Sequence, residues 1–452
     1  MDDFFEELNE DKKTEEKGLN STMPPTKHEK KRKTRTVVTA IGLAVVSFIA
    51  GGFSVWFSLD KQLRTLAKVK NTIDREYYKE IDDEVFYGAI FDAVNGQLDD
   101  YSGYMTADEY AASADSLAGK RAGIGLVFST LDENGKEQMK IVRVCGNSPA
   151  EEAGVVAGSH LIAFGKTKDG LVESQVFSEF SDFLNTCKDE ESFWVRLRVG
   201  ETESEKQLKK SMYVENYVFY KTNAKSYGFC GNNAEQLTEN GAPMSYLNDE
   251  TAYIRLTQFG GEAGSSFQKV MNLFKTDGKK NLVLDLRGNG GGYLDVMQEI
   301  ASYFCKGATE KKPIAAVADF GEKKQKYKAT DNLYGEYFSN ESRICVLADS
   351  STASASEALI GCMIDYGAVG YGDICLSQRN GVAKTFGKGI MQATYFLGAE
   401  KDAIKLTTAE ICWPISERSI HTRGILPQDG TKTVAEGVND EIELEMAIKA
   451  LF

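Results

Sequence analysis

Residues 344–357 read ICVLADSSTASASE. The first five residues, Ile344 to Ala348, form an uninterrupted apolar run of the length expected for a strand buried on both faces. A polar step through Asp349, Ser350, Ser351 and Thr352 follows, and from Ala355 the sequence is again apolar with helical texture to about Tyr366. A buried strand that turns sharply into a helix is the repeating unit of an α/β fold. A serine at such a corner, here Ser354, has an exposed hydroxyl, and the next backbone N–H is free to meet a developing oxyanion. The same residues also satisfy a plainer rule, because Ser354 with Glu357 three positions later is a helix capping box. On this stretch alone both readings stand.

The chain on either side repeats the pattern. From about Tyr213 onward, strands at 251–256, 281–286 and 344–348 alternate with helices at 265–274, 294–304 and 355–366, which predicts an α/β domain with a mostly parallel sheet. The strand at 281–286 runs into DLRGNGGG (285–292), four glycines within five residues ahead of a helix. Glycines there let backbone N–H groups approach an oxyanion closely. A tight turn and a phosphate cradle compete with that reading, although no Walker lysine follows and G-x-G-x-x-G is not met. A third segment, KTFGKGIMQ (384–392), places Lys388 between two glycines.

Upstream, from Gly119, short strands and turns dominate. GIGLVF (123–128) enters a strand, Asp132 to Gly135 is a hairpin signal, 141–144 is the return strand, and SPAEEAG (148–154) is a short capped helix ending on glycine. Together with Ala157-Gly158 these residues resemble a PDZ domain. The resemblance implies that Gly123, Ile124, Gly125 and Leu126 form a loop whose N–H groups receive a peptide's C-terminal carboxylate while the peptide adds as a strand. It fades after Ile162, where residues 163–170 lack the usual Asn-Gly turn.

The ordered set DLRGNGGG, TASASE and TFGKGxxQ, downstream of a PDZ-like module and an anchor, resembles the C-terminal processing (tail-specific) serine peptidases over roughly residues 60–452. By motif position the resemblance makes Ser354, not Ser356, the nucleophile, Lys388 the general base and Gln392 the residue that orients its amine. The oxyanion hole would use the N–H of Ala355 and one from the Gly290-Gly291 turn. Physical chemistry supports the base independently. A serine needs one at neutral pH, and a lysine can serve if burial and the absence of a carboxylate partner lower its pKa. No acid lies within seven positions of Lys388 on either side. Of the three histidines, His28 precedes the anchor and His160 falls in the PDZ-like region, so only His421 could serve a triad, and it reads as structural. Lys384 is a competing base with less apolar neighbours. Residues 373–383 exceed the family's usual link to the lysine by about nine residues, an insertion expected to form a long loop beside the site. The stretch 439–451, with Leu444, Ile448 and Leu451 on one face, is expected to be a packing helix.

The amino-terminal region sets the expected location. Residues 36–59 are 24 residues without a charge, enough to span a bilayer core of about 30 Å. Lys27, Lys30, Lys31, Arg32, Lys33 and Arg35 precede them, so the N-terminus is expected in the cytoplasm and the remainder outside. Leu63, Leu66, Val69, Ile73 and Tyr77 recur at helical spacing, and a second helix runs from 83 to 98, ending in the turn-rich LDDYSGYM (98–105).

Composition fits. In 452 residues, 42% are apolar and 27% charged, and 53 basic against 67 acidic residues leave a net charge of −14, which argues against a nucleic-acid partner. Eight single cysteines, with no C-x-x-C pair, suggest neither zinc nor a disulfide framework.

The expected organisation is a tail (1–35), a transmembrane helix (36–59), a helical segment (60–118), a mainly β PDZ-like domain (119–205) and a crotonase-like α/β peptidase core (206–452). The expected activity is serine endopeptidase action on extracytoplasmic proteins with free C-termini, with no metal or cofactor implied. Two alternatives belong to other classes: a catalytically silent PDZ scaffold, and a crotonase-like hydrolase or acyltransferase acting on a small acyl substrate.

Overall fold

The structure, a computed structural model, describes residues 60–451 apart from 132–135, 146, 157, 216, 230–236, 240–242, 399–400 and 437–439. The expected tail and transmembrane segment therefore lie outside the described residues. Among the described residues, no helix is long and apolar enough to cross a membrane. The chain divides into two compact units after Ile90. The described part of the first contains helix Lys61–Glu76 (α1), capped by the Asp60 carboxylate on Gln62 N at 2.7 Å, and most of helix Asp83–Asn95 (α2). Within it Lys70 Nζ is shared by Asp74 and Asp83, which hold its pKa well above the ordinary lysine value.

In the second unit, strand Gly103–Met105 (β1) and helix Ala107–Leu117 (α3) lead into a ribbon in which Lys120–Gly123 (β2) later pairs with Ser211–Val214. Between the two arms lies an antiparallel sheet. Strand Leu126–Leu131 (β3) pairs with Glu137–Val144 (β4), so the flanks of the expected hairpin meet, while its tip lies outside the described residues. Helix Pro149–Glu152 (α4), strands His160–Gly165 (β5) and Val172–Glu173 (β6), helix Phe177–Thr186 (α5) and strands Ser192–Val199 (β7) and Thr202–Lys209 (β8) complete it. The order β3-β4-β5-β7-β8 leaves β3 at an edge. Alternation in β7 puts Phe193, Val195 and Leu197 into a core shared with Met139, Ile141, Leu161 and Phe180.

After Ser211–Val214 (β9) the chain builds a second, larger sheet from Val218–Lys221 (β10), Ser226–Phe229 (β11), Leu237–Glu239 (β12) and Thr251–Leu256 (β13). Helix Ala263–Thr276 (α6), strand Asn281–Asp285 (β14) and helix Leu294–Ala301 (α7) follow. Next come strands Ile314–Asp319 (β15) and Lys324–Lys328 (β16), the short helix Tyr334–Tyr337 (α8), strand Ile344–Ala348 (β17) and helix Ala355–Asp365 (α9). Strands Ile374–Ser377 (β18), Ile390–Leu397 (β19), Asp402–Cys412 (β20) and Lys432–Val434 (β21) and helix Asp440–Leu451 (α10) end the chain.

The large sheet runs β12-β11-β10-β13-β14-β17-β18-β21, parallel from β13 to β21 and antiparallel in its first strands. The apolar run of β17 is explained by cover on both faces. Val346 packs with α6, α7 and α9, whereas Cys345 and Leu347 meet Leu444, Ala447 and Ile448 of α10.

Two expectations change. The large sheet is parallel over most of its strands, as expected, but it does not stand alone: a second, antiparallel sheet is present. In it β20 pairs with β19 on one side and with β1 and β15 on the other. Residues 373–383 are not one long loop: Ile374–Ser377 is a fully buried strand between β17 and β21, because its apolar ICLS sequence completes the parallel sheet. The seven described cysteines are buried, and none forms a disulfide among the described residues.

Candidate active site

Ser354 stands at the corner between β17 and α9, half-buried, with φ 56° and ψ −116°. Such backbone costs about 1–3 kcal/mol for a residue with a side chain and persists only where neighbours over-determine it. They do so here. Ala353 N donates to Asn289 O at 3.0 Å, Ser354 N to Glu357 Oε2 at 3.1 Å, and Ala358 N to Ser354 O at 2.9 Å. Ser356 is fully buried, and its hydroxyl donates to Asn289 O at 3.0 Å.

The glycine loop lies against this corner. A Cβ on Gly291 (φ +100°) would fall 2.8 Å from Ser354 Cβ and 2.9 Å from Ala355 N, so no side chain fits there. Of the N–H groups expected to meet an oxyanion, that of Ala355 opens helix α9, where the first N–H groups have no intrahelical acceptor. The Gly290 N–H has no acceptor among the described residues, whereas the Gly291 N–H donates to Asn289 Oδ1 at 2.9 Å. Asn289 also donates to Leu256 O at 2.9 Å, tying the loop to β13.

Beneath the loop runs a chain of charges. Arg287 forks onto Asp285 at 2.7 Å and reaches Glu443 of α10, also at 2.7 Å; Arg379 joins Glu443 at 2.6 Å to Asp349 at 3.2 Å. Asp349 in turn accepts Gly288 N at 3.0 Å. Arg287 holds the Asp285 carboxyl below its ordinary range against the opposing effect of full burial. Asp285 and Arg287 thus hold the loop in place from below.

Lys388 precedes β19, half-buried, and its amine donates to Gln392 Oε1 at 3.0 Å. Among the described residues no carboxylate forms an ion pair with it. Loss of hydration pushes its pKa below the ordinary lysine value, the Lys405 ammonium adds to this, and Asp99 opposes it. Lys384 makes no hydrogen bond to Ser354, Glu357 or Gln392 among the described residues. His421 packs its backbone onto the lysine loop, where a Cβ on Gly389 would come within 2.8 Å of His421 N. Its buried Nδ1 has no partner among the described residues.

One buried carboxylate joins the two halves. Glu357 Oε2 accepts the amide of Ser354 at 3.1 Å and that of Lys388 at 2.9 Å; Oε1 accepts Gly387 N at 2.9 Å and the Thr385 hydroxyl at 2.5 Å. The Ser354 and Lys388 amide nitrogens are therefore each within 3.1 Å of one oxygen, so they are at most twice that distance apart. Burial raises the Glu357 pKa and the four hydrogen bonds oppose the rise. The Thr385 hydroxyl accepts Ile425 N at 2.8 Å, so its own proton points to Glu357. Four donors fill the acceptor sites of an ionised carboxylate and leave no acceptor for a proton of its own, which keeps Glu357 charged at neutral pH.

The profile of peptidase family S41 matches residues 250–429, a window that contains the glycine loop, Ser354, Glu357, Lys388 and Gln392. The chain is 26% identical over 399 residues to a probable CtpA-like serine protease of Staphylococcus saprophyticus, covering 86% of this chain and 71% of that protein. It is also 26% identical over 374 residues to the carboxy-terminal processing protease CtpB of Bacillus subtilis, covering 81% of this chain and 67% of that one. Residues 250–429 are a peptidase family S41 segment, and over most of its length the chain is similar to C-terminal processing serine peptidases. Among solved structures, a putative S41 protease from Bacteroides fragilis aligns with a TM-score of 0.51 at 18% identity, covering 83% of this chain and 90% of that one, a likeness of fold.

Two participants escaped the sequence reading. Glu357 carried only a capping signal, which it fulfils through Ser354 N, while its bonds to residues 385–388 cross a gap of about thirty positions. Tyr101, outside the matched window, lies with its ring centroid 4.6 Å from Lys388 Nζ, and its carbonyl accepts Gln392 Nε2. Only the turn-rich texture of residues 98–105 set that segment apart.

Proposed function

We propose that this peptidase cleaves extracytoplasmic proteins near their C-termini through a Ser354–Lys388 dyad on a crotonase-like core. The observation that carries the reading is the single Glu357 oxygen that accepts the amides of both residues, beside a lysine whose amine, among the described residues, hydrogen-bonds only a neutral amide. Neutral Lys388 takes the Ser354 proton as Oγ attacks the scissile carbonyl. The oxyanion formed is met by the N–H groups of Ala355 and Gly290. As the tetrahedral adduct collapses, the Lys388 ammonium gives its proton to the leaving amine, and the acyl group stays on Ser354. Lys388 then deprotonates a water that hydrolyses the ester, and Ser354 recovers its proton. Gln392 holds the amine in line without neutralising it.

The β-sheet of residues 126–209 acts in this reading as the PDZ-like module. Its strand β3 carries Phe128, which packs on Phe177 and Phe180 of α5, and lies at the edge of the sheet, where a peptide can add as a strand. In the Gly123-Ile124-Gly125-Leu126 segment the carbonyls of Ile124 and Gly125 accept Ala150 N and Cys145 N at 3.0 and 2.8 Å. Carbonyls turned inward suit a loop that offers its N–H groups to a carboxylate. The uncharged residues 36–59, behind their basic flank, anchor the chain and place the catalytic part outside.

Peptide hydrolysis and fluorophosphonate labelling by the full chain test the dyad. Ser354→Ala and Lys388→Ala are each expected to abolish turnover while keeping the wild-type melting temperature, and full turnover in either refutes the assignment. Peptides with a free C-terminal carboxylate should bind more tightly than their amides.

A further inference from the structure

The lysine of this site owes its environment to a segment far from it in sequence. Residues 99–105 are stitched to β20: Thr407 N donates to Ser102 Oγ at 2.8 Å, Tyr104 OH to Asp402 at 2.6 Å, and Ala107 N to Asp402 at 3.0 Å. Gly103 to Met105 also pair with Lys405 to Ala403 as β1. Asn95 Oδ1 accepts Tyr104 N at 2.7 Å from the other side. Held in this way, Tyr101 makes one contact with the base and one with its partner: its ring faces Lys388 Nζ at 4.6 Å, and its carbonyl accepts the amide nitrogen of Gln392. The second contact fixes the amide flip. With Nε2 committed to Tyr101 O, Oε1 must face the lysine as an acceptor.

We infer that Tyr101 is a positioning residue for the general base, orienting Gln392 with its carbonyl and covering the Lys388 amine with its ring so that water is kept from it. The inference rests on the dyad reading above and adds a residue outside the segment that the family profile matches. The ring acts in two opposing ways. Excluding water disfavours the ammonium, whereas the negative face of the ring favours it. The other groups that act on this amine are the Lys405 ammonium from β20 and the Asp99 carboxylate from the same loop as Tyr101. Three substitutions separate the two effects: Tyr101→Phe keeps both, Tyr101→Leu removes the ring face alone, and Tyr101→Ala removes the ring face and the cover together.

The experiment is the pH dependence of kcat/KM for peptide cleavage by the full chain, whose acid limb reports the deprotonation of the base. Tyr101→Phe keeps ring and carbonyl and is expected within about twofold of wild type at every pH. Tyr101→Ala removes cover and ring face together, and because loss of hydration is the first cause of the lowered Lys388 pKa, the admitted water prevails and the acid limb moves to higher pH; for a shift of one unit the rate well below it falls about tenfold and recovers on raising the pH. Tyr101→Leu keeps the cover but removes the ring face, so its limb moves to lower pH. A residue that only stabilised the fold would lower the plateau and leave the midpoint in place. An unmoved midpoint in Tyr101→Leu, or in a folded Tyr101→Ala, overturns the inference, and the Leu variant decides if the Ala variant does not fold. Lys388→Ala in the same assay keeps the two readings apart. If it remains active the dyad itself fails; if it is inactive while the Tyr101 midpoints stay fixed, only the role of Tyr101 fails.

Discussion

The serine half and the lysine half of the site are built in different ways. Ser354, Ala355 and the glycine loop sit at the ends of neighbouring parallel strands, clamped by Asn289, by Glu357 of α9 and by a buried chain of charges that reaches α10. Lys388 is half-buried and depends on three separate segments: Gln392 beyond a β-bulge in the β19–β20 pairing, Lys405 on the partner strand, and the loop carrying Tyr101. The strain needed at the nucleophile can be stored by a rigid corner. The proton affinity needed at the base depends on hydration and on nearby charge, which packing from remote segments can adjust. Substitutions on the serine side should therefore change the plateau rate, and those on the lysine side should change the pH at which it is reached.

Glu357→Gln is expected to have the largest effect, because it strikes both halves. An amide must turn its NH2 toward two of the four donors that now meet oxygen, leaving them unpaired in a fully buried site. A loss of about 2–4 kcal/mol in denaturant unfolding is expected for leaving buried donors without an acceptor in this way. Activity should fall by about 10²-fold or more as the two backbones lose their common anchor. Stability within error of wild type would show that Glu357 does not hold the halves together.

Gly291→Ala tests the serine side alone. The added methyl would stand 2.8 Å from Ser354 Cβ and 2.9 Å from Ala353 O, on backbone at φ +100°. One to two orders of magnitude in kcat are expected to be lost with the acid limb unmoved, since misplacing reacting atoms by about 1 Å can cost about 10²-fold. A moved limb would contradict the division between the halves.

The corresponding test of the lysine side is Gln392→Glu. A carboxylate within 3.0 Å of Nζ stabilises the ammonium, so the Lys388 pKa rises and the base is protonated at neutral pH. The acid limb should move up by about 1–3 units, with a plateau near that of wild type once it is passed. A lower plateau with an unmoved limb would mean that Gln392 does not face the base.

The same division explains what the sequence disclosed. The strand-to-helix corners, the glycine loop and the terminal helix were legible because each signal is local: an apolar run, a cluster of glycines, or Leu444, Ile448 and Leu451 at helical spacing. Residues 373–383 were misread because their apolar strand ICLS is only four residues long, and short runs carry little periodicity. Arg379 and Glu443 gave no warning that they would extend the charge chain from Arg287 to Asp349, since charged residues usually face water. Tyr101 was invisible for a related reason. Its importance comes from the register of β1 on β20, which brings residues some three hundred positions apart together, and no local pattern encodes that register.

Lys405 provides the finest test. Its ammonium is the second cause, after loss of hydration, of the lowered Lys388 pKa. It lies on β20 opposite Thr394 and Gly103, so it touches the base through the field alone and makes none of the hydrogen bonds that position it. Lys405→Met keeps the length of the side chain and removes the like charge. The Lys388 ammonium then becomes easier to form, and the acid limb of kcat/KM is expected to rise by a few tenths of a unit with the plateau unchanged. Because the group is only half-buried, salt should imitate the substitution: in wild type the limb should drift the same way as ionic strength increases, and in Lys405→Met that drift should shrink. If wild type and variant show the same salt dependence, the lowered affinity of the base for its proton comes from loss of hydration alone, and control of the lysine half narrows to the residues that cover it.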